Sequence, residues 1–278
     1  MKIGNNILSI TPDKKYNYID LFSGAGGFSL GFHQAGFNCV GAIDNSKAAI
    51  ATHKFNFKNC FSICEDIEKV SPQLFSNYIN NQDVNIIIGG PPCPTFSSIG
   101  QPKLQSLVND VSKDKRNRLF VNFLKYVEFF QPDFFIMENV PNFKTKYNGE
   151  IFRATIDMIH NLNGNYDVSL PVNILNAVEY GVPQNRKRMF LVGHKKDFKF
   201  KYPLPTHNLI KKQKTQINFF DNELKLQKNI TVGEAISDLP NITDNWKVDK
   251  VKYSQNKNLS DYQKLMRKNN TNEVQNNK

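Results

Sequence analysis

The sequence predicts an α/β fold with a doubly wound, mostly parallel sheet. Short apolar runs rich in β-branched residues recur between amphipathic stretches along residues 16–194, the pattern of parallel strands joined by helices. Residues 16–44 run in the order strand, glycine turn, helix, strand, acid, which is the plan of a nucleotide-binding βαβ unit. The residues most able to do chemistry follow the ends of predicted strands, where open sheets of this kind bind ligands.

Length and charge set the broad class. The 278 residues are enough for one large domain, or for one domain and part of a second. The formal net charge is +11, and residues 194–278, with 17 basic and 9 acidic residues, carry +8 of it. This excess of positive charge suits a polyanion such as nucleic acid, although a solvated basic surface would give the same balance.

The four cysteines are too few and too irregularly spaced for a disulfide framework. Cys60 and Cys64 have a metal-like spacing, but no second Cys/His pair matches it, so we predict no metal site. The N-terminus has no apolar signal core, and the chain has no run of 18 apolar residues. We therefore expect a cytoplasmic protein.

The first predicted strand, residues 16–22, leads into the glycine turn, residues 23–27. A helix over residues 28–35 follows and ends at Gly36, and residues 37–43 form the second strand. The turn is shorter than Gly-x-Gly-x-x-Gly and lacks the Gly-Lys-Ser/Thr of triphosphate sites. An adenosine-type cofactor without a pyrophosphate therefore fits best, and an ordinary strand–helix turn is the alternative.

Two acids could complete such a site. Asp44 ends the second strand, about 20 residues after the turn, where an acid can hold ribose hydroxyls. Ser46 then caps a helix that reaches about residue 55. Asp66 precedes another helical stretch and could lie at the edge of an adenine ring.

Cys93 lies in a stiff turn after an apolar, β-branched strand at residues 83–88. Gly89 and Gly90 end that strand, and prolines flank the cysteine. A thiol held rigidly at a strand end suits a nucleophile, whereas a buried thiol acting as a small hydrophobe is the alternative. The polar loop at residues 98–116 is long for a compact domain, which indicates a functional loop.

Glu138 and two arginines follow the same rule of position. A helix over residues 118–130 and a strand over residues 133–137 place Glu138 at a strand end, although a surface or capping acid would also fit there. Further on we predict a helix (151–162) and strands over 168–175 and 189–193. Arg186 and Arg188 alternate before the last strand and would share one face, as an anionic ligand requires; basic surface residues are the alternative.

Four segments together resemble the motifs of the DNA (cytosine-5) methyltransferases, in the right order and spacing. They are residues 20–27, 89–97, 138–140 and 184–188, with residues 116–120 as a further, weaker match. The resemblance implies the Rossmann-like fold of S-adenosylmethionine-dependent methyltransferases, with an incomplete second region. It also implies S-adenosyl-L-methionine as the cofactor and double-stranded DNA, with a flipped-out cytosine, as the substrate.

The resemblance implies a role for each matched residue. Cys93 would attack cytosine C6 as a thiolate, Glu138 would bind N3 and the exocyclic amine, and Arg186 and Arg188 would support the O2 side of the base. Phe22 would stack on adenine, with Asp44 on the ribose and Asp66 at the adenine amine; Asn45 stands where many relatives carry an aromatic residue. The cofactor-binding residues implied in this way are Asp20, Phe22, Ser23, Gly24, Gly26, Gly27, Asp44, Asn45, Asp66, Ile67, Pro92 and Leu119.

The resemblance thins towards the C-terminus. Family members continue with a full target-recognition region, an Arg-rich segment and a Gly-Asn-x-Val segment, which we do not find. We expect residues 1–194 to form the catalytic and cofactor-binding domain. Residues 195–253 would begin a basic recognition region, with a short capped helix at 230–240, and residues 254–278 would be a disordered polar tail.

The expected function is DNA cytosine-5 methylation in a restriction–modification system, with a second subunit that carries the recognition region and closing motifs. The alternative is an inactive truncated methyltransferase that only binds cofactor or nucleic acid. A tRNA-methylating relative is a lesser alternative, because the residues that follow Cys93 are more similar to those of the DNA enzymes.

Overall fold

The computed structural model describes residues 16–92, 115–163, 165–208, 226–240, 250–253, 258–267 and 273–275. The chain divides into two compact units. Residues 1–174 and 188–202 form the first unit, and residues 175–187 and 203–278 form the second. None of the helices in the described ranges has the length and apolarity that a membrane span requires.

The strands of the main sheet lie in the order β3-β2-β1-β4-β5-β8-β6, and β7 also pairs with β8. Their bounds are β1 (Asn17–Leu21), β2 (Asn38–Asp44), β3 (Phe61–Cys64), β4 (Ile86–Gly89), β5 (Phe134–Asn139), β6 (Tyr166–Val168), β7 (Asn173–Asn176) and β8 (Lys187–Lys195). Strands β1 to β5 run parallel to one another, whereas β8 is antiparallel to both β5 and β6. The α/β, mostly parallel sheet predicted from the sequence is thereby confirmed.

Helices connect the parallel strands of the first unit. Their bounds are α1 (Gly27–Gln34), α2 (Lys47–Asn56), α3 (Pro72–Tyr78), α4 (Lys115–Phe130) and α5 (Glu150–His160). Local chemistry determines several ends: the Ser46 side chain caps α2 by accepting from the Ala49 N–H, as predicted, and Ser71 caps α3. Gly36 has φ +92°, a left-handed conformation that ends the α1 segment at low steric cost.

Aromatic and branched residues fill the core on the α4 side of the sheet. Phe120 and Phe123 of α4 are almost fully buried, and the Phe123 ring meets Phe135 of β5 with centroids 6.2 Å apart. Buried tyrosines keep their hydroxyls satisfied: Tyr126 donates to the Val70 carbonyl at 2.9 Å and Tyr166 to the Pro132 carbonyl at 2.7 Å. These contacts pack α4 against the sheet.

Two expectations about secondary structure differ from the structure. The strand predicted over residues 168–175 is two strands, β6 and β7, because Pro171 lies between them and has no N–H for a ladder. The stretch predicted as a polar, disordered tail, residues 254–278, contains a described helix, α7 (Asp261–Met266), and a strand, β12 (Glu273–Gln275). A reciprocal capping box between Ser260 and Gln263 stabilises the start of α7.

The second unit has its own polar supports. Helix α6 (Val232–Ile236) begins with a capping box between Thr231 and Glu234, which confirms the short capped helix predicted there. Arg267 donates to the buried carboxylate of Asp238 at 2.7 Å, and its guanidinium lies 3.7 Å from the centre of the Tyr253 ring. Besides β12, this unit contains the short strands β9 (His207–Asn208), β10 (Gln227–Lys228) and β11 (Lys250–Lys252).

We predict that Gly89→Ala destabilises the protein by roughly 1–3 kcal/mol, because the added Cβ would overlap the carbonyl oxygen of Leu21 in the neighbouring strand. Gly31→Ala is the matched control, since a Cβ at Gly31 in α1 would meet nothing within 4 Å and alanine favours helix. Urea unfolding measures both variants. A Gly89→Ala protein as stable as the wild type would contradict the close approach of β1 and β4.

Candidate functional site

The glycine turn adopts backbone conformations that few other residues tolerate. Phe22, Gly24 and Gly26 have φ values of +63°, +54° and +95°. The Ser23 N–H donates to the Ile43 carbonyl at 3.1 Å, and the Gly26 N–H donates to the Ser23 carbonyl at 3.0 Å. A Cβ at Gly24 or Gly27 would meet nothing within 4 Å, so open space lies beside the turn, as a ligand requires.

Asp44 fastens the turn to the end of β2. One carboxylate oxygen accepts the Gly24 N–H at 2.9 Å, and the other accepts the Ser46 N–H at 2.8 Å. Each carboxylate oxygen has a second lone pair that can accept a further hydrogen bond. The carboxylate that is predicted to hold ribose hydroxyls is therefore oriented by the turn itself.

Asp66 and Ile67 follow β3, the neighbour of β2. Asp66 caps a short 3₁₀ turn by accepting the Glu68 N–H at 3.1 Å, and Ile67 is buried. Arg118 at the start of α4 pairs with Glu68 at 2.6 Å. Several predicted cofactor residues therefore lie together at the carboxyl ends of β1, β2 and β3. They are the glycine turn, Asp44, Asn45, Asp66 and Ile67, and Leu119 packs against the same core as Ile67.

Two polar atoms at the turn have no hydrogen-bond partner within the described part of the chain. They are Oδ1 of Asp20 and Oγ of Ser23, both buried. Buried polar atoms are normally paired, so these two are suited to a polar ligand. With the open space at Gly24 and Gly27, they fit a cofactor that carries hydroxyl or amino groups.

Asp20 itself has an altered acidity. Burial raises the pKa of its carboxyl group from 3.8 to about 7, although hydrogen bonds from Ser29 act in the opposite direction. The negative charge of Asp44 also raises this pKa. The folded protein holds this proton more tightly than the unfolded chain does, so protonation of Asp20 contributes to the free energy of unfolding. This contribution is fully present below pH 3.8 and is lost as pH rises through about 7.

The second half of the site lies at the ends of β4 and β5. The Asn139 side chain donates to the Pro91 carbonyl at 3.2 Å, which ties the end of β5 to the segment that leads to Cys93. A Cβ on Gly90 would lie 3.4 Å from Oε2 of Glu138. Pro92 is half-buried and is the last described residue of this segment, so Cys93, the predicted nucleophile, lies outside the described residues. Of the loop predicted over residues 98–116, residues 98–114 also lie outside them, and residues 115 and 116 belong to α4.

Glu138 forms an ion pair with Arg188. Nε of Arg188 lies 2.6 Å from Oε1 of Glu138, and their side chains are only 25% and 27% exposed. Strand β8 runs antiparallel to β5, with Phe190 opposite Glu138, so Arg188 reaches the glutamate diagonally. The sequence contained no sign of this pairing, because it depends on the direction and register of β8.

Arg186 belongs to the second unit, where its side chain is exposed and its carbonyl accepts the Ala177 N–H at 2.9 Å. Two buried residues that the sequence did not indicate, Ser29 and His53, also lie beside the glycine turn. No motif or spacing marks either residue.

Comparisons with known proteins identify the family of the chain. Residues 16–278 match the family described as C-5 cytosine-specific DNA methylase. The chain belongs to this family. It is 36% identical to the type II methyltransferase M.XorII of Xanthomonas oryzae over 80% of this chain, and 40% identical to the type II methyltransferase M.DdeI of Desulfomicrobium norvegicum over 81%.

The extent of these matches differs among relatives. The chain spans 46% of the length of M.XorII and 48% of M.DdeI, but 89% of the type II methyltransferase M.AquIA of Picosynechococcus sp., to which it is 34% identical over 81% of this chain. It thus covers about half the length of the first two and most of the third.

Solved structures show the same fold. A crystal structure described as that of a prophage-encoded DNA modification methyltransferase (E. coli) is 30% identical to this family member, with a TM-score of 0.66 over 90% of this chain and 64% of that one. The Spodoptera frugiperda DNMT2 structure, 22% identical with a TM-score of 0.52, shares the fold over 71% of this chain and 56% of that one.

We predict that Asp20→Asn changes the pH dependence of stability. The free energy of unfolding of the wild type, taken relative to the variant, should fall by roughly 4 kcal/mol as pH rises from about 4 to about 8, because only the wild type loses the native proton. Urea unfolding of both proteins over this range measures the difference. Parallel curves for the two proteins would show that Asp20 does not titrate near neutrality.

Proposed function

We propose that this chain methylates C5 of cytosine in double-stranded DNA as part of a restriction–modification system. The observation that carries the proposal is the Glu138–Arg188 ion pair, which lies against Gly90 at the start of the segment that leads to Cys93, in a member of the cytosine-5 methylase family. The type II methyltransferases among its relatives support the restriction–modification setting.

Cys93 supplies the covalent step in this proposal. Its thiolate adds to C6 of a flipped-out cytosine, and the electrons displaced through the ring make C5 nucleophilic. After C5 has gained the methyl group, the C5 proton leaves to a base and the C6–sulfur bond breaks, which returns the thiolate. Prolines precede and follow Cys93 in the sequence, and their restricted φ angles suit this role because they limit backbone freedom there.

Glu138 would bind the N3 edge and exocyclic amine of the cytosine. Arg188 supports this role because its 2.6 Å contact fixes the orientation of the carboxylate beside Gly90. The charge of the arginine also offsets the cost of placing a carboxylate in a partly buried position. Arg186 would support the O2 side of the base together with Arg188, as the resemblance implies.

The first three strand ends would hold S-adenosyl-L-methionine, which supplies the methyl group when bound. Phe22 would pack on the adenine, Asp44 would accept from the ribose hydroxyls, and Asp66 would accept from the adenine amine. The turn itself, with Asp20, Ser23, Gly24, Gly26 and Gly27, and the flanking Asn45, Ile67, Pro92 and Leu119 would complete the pocket. The unpartnered Ser23 hydroxyl and the open space at Gly24 support this assignment.

The DNA partner is supported by charge. The net charge of +11, concentrated after residue 194, would neutralise phosphates and give salt-dependent binding. We propose further that a second polypeptide completes base recognition. The proposal rests on the resemblance to the cytosine-5 methylase family, which implies a target-recognition region beside the catalytic motifs.

Cys93→Ser should lower methyl transfer at least about 1000-fold, because a serine hydroxyl is not ionised at neutral pH and cannot add to C6. Transfer of labelled methyl groups to duplex DNA, with and without the product of the adjacent reading frame, measures it. Binding of S-adenosylmethionine by calorimetry should be unchanged. Full activity in this variant would contradict the assignment of Cys93.

Arg188→Gln should lower methyl transfer about 100-fold, because Glu138 loses the cation that orients it. Lys195→Gln is the matched control: Lys195 pairs with Asp133 at 3.2 Å at the opposite end of the same two strands. The control should retain activity. Equal losses in both variants would indicate a general effect on the sheet and would contradict a specific role for Arg188.

The assay with the second polypeptide separates the two candidate functions. Methyl transfer that requires the second polypeptide supports the split enzyme, and transfer by the chain alone contradicts it. If cofactor binds and no mixture methylates DNA, the chain is instead a non-catalytic binder of cofactor or nucleic acid.

A further inference from the structure

A chain of buried polar side chains lies beneath the glycine turn. Ser29 donates to Oδ2 of Asp20 at 2.6 Å, Nε2 of His53 lies 3.2 Å from the Ser29 hydroxyl, and Nδ1 of His53 lies 2.8 Å from the Ser62 hydroxyl. All four residues are at most 5% exposed. We call Asp20, Ser29, His53 and Ser62 the Asp20 relay.

The relay forms the floor of the turn. A Cβ on Gly26 would lie 2.9 Å from the His53 ring and 2.5 Å from the Phe57 ring, so these rings contact the turn directly. The relay also joins four elements, since its members lie on β1, α1, α2 and β3. Movement of the His53 ring would therefore change the packing against Gly26.

We propose that His53 positions the glycine turn through the Asp20 relay, and that the relay reverses its hydrogen bonds when Asp20 takes up one proton. Only the expected effect on cofactor binding rests on the proposed function; the reversal of the hydrogen bonds does not.

The ionised state allows one arrangement. The Asp20 carboxylate accepts a hydrogen bond from the Ser29 hydroxyl. The Ser29 oxygen must then accept a hydrogen bond from Nε2 of His53, so the ring proton is on Nε2. Nδ1 of His53 accepts from the Ser62 hydroxyl. Every hydrogen bond of the relay then points towards Asp20.

The protonated state reverses each bond. The Asp20 carboxyl donates to Ser29, Ser29 donates to Nε2 of His53, and the ring proton is on Nδ1, from which it is donated to Ser62. The Ser62 hydroxyl then donates to the Cys60 carbonyl at 3.4 Å. The two states differ by one proton and one negative charge, and His53 is neutral in both.

The surroundings favour these two states over a charged imidazole. Burial lowers the pKa of His53, against an opposing effect of Asp44. The other titratable groups that face the relay are Tyr18, Cys39, Asp44 and Cys60. Burial raises the pKa of Tyr18, and a hydrogen bond to Cys39 together with burial raises the pKa of Cys60, so both remain protonated at neutral pH.

The same cluster also contains a possible metal-ligand set. The ligand atoms of Cys39, His53 and Cys60 lie within 4.8 Å of one another. Both ring nitrogens of His53 face serine hydroxyls, however, so the relay already uses the lone pair that a metal would need. The geometry therefore favours a proton relay at this position.

The test follows the ring nitrogens of His53 by ¹⁵N-detected histidine NMR of the full chain, from roughly pH 5.5 to roughly pH 8.5, on either side of neutrality. The signal that disappears in His53→Gln is assigned to His53. As a control, His33→Gln should lose a different signal. We expect neutral His53 throughout, with the proton on Nδ1 at the low end and on Nε2 at the high end. An unchanged tautomer, or a doubly protonated ring at the low end, would overturn the proposal.

Two variants isolate the cause. Asp20→Asn and Ser29→Ala should each hold His53 in one tautomer across the range, because the first removes the titrating proton and the second interrupts the relay. Circular dichroism checks that both variants fold. If His53 still exchanges its tautomer with pH in either variant, Asp20 does not control the relay.

Calorimetric titration with S-adenosylmethionine provides the functional readout. The wild type should bind it about tenfold more tightly at the high end of the range, since a negative Asp20 attracts a cationic ligand, and Asp20→Asn should show no such change. Equal pH dependence in both proteins would contradict the positioning role. If neither protein binds the cofactor, the proposed function fails, and the NMR result still decides the relay.

Discussion

The backbone of β1 is the constraint on which the site depends. This strand lies between β2 and β4, and its last residue, Leu21, pairs with Ile43 on one side and Gly89 on the other. The approach at Gly89 is so close that no side chain fits there. The glycine turn, Asp44 and the Gly90 segment are consequently held at fixed positions by one buried strand, which joins the half of the site proposed to hold the cofactor to the half that contains Glu138.

The reversed strand β8 contributes what the parallel strands cannot. Parallel strands collect loops at one edge of the sheet, whereas β8 passes that edge in the opposite direction and places Arg188 within 2.6 Å of Glu138. A cation nearby offsets part of the cost of placing a carboxylate in a partly buried position. The mixed direction of the sheet is therefore directly relevant to the proposed chemistry, because it provides that cation from within the core structure.

The polar residues under the glycine turn lower stability and lie where they can affect the turn. An unpartnered oxygen on Asp20 and a chain of buried hydroxyls cost stability compared with an apolar core, yet they lie directly beneath the backbone that the cofactor would contact. Apolar packing adjoins them, since the buried Phe57 ring lies 4.6 Å from the His53 ring, centroid to centroid. Such a cluster can respond to a single proton, whereas an apolar core cannot.

The sequence by itself determined the parallel α/β order, the glycine turn, the helix caps at Ser46 and Thr231, and the strand ends that carry Asp44 and Glu138, because these depend on local periodicity and backbone preferences. It did not reveal the split of the strand at Pro171 or the capped helix α7 near the end of the chain. Only the tertiary structure decided that Arg188 pairs with Glu138 and that His53 lies under Gly26. Both contacts join residues 27 to 50 positions apart, and they arise from strand direction, register and helix packing, which no local pattern encodes.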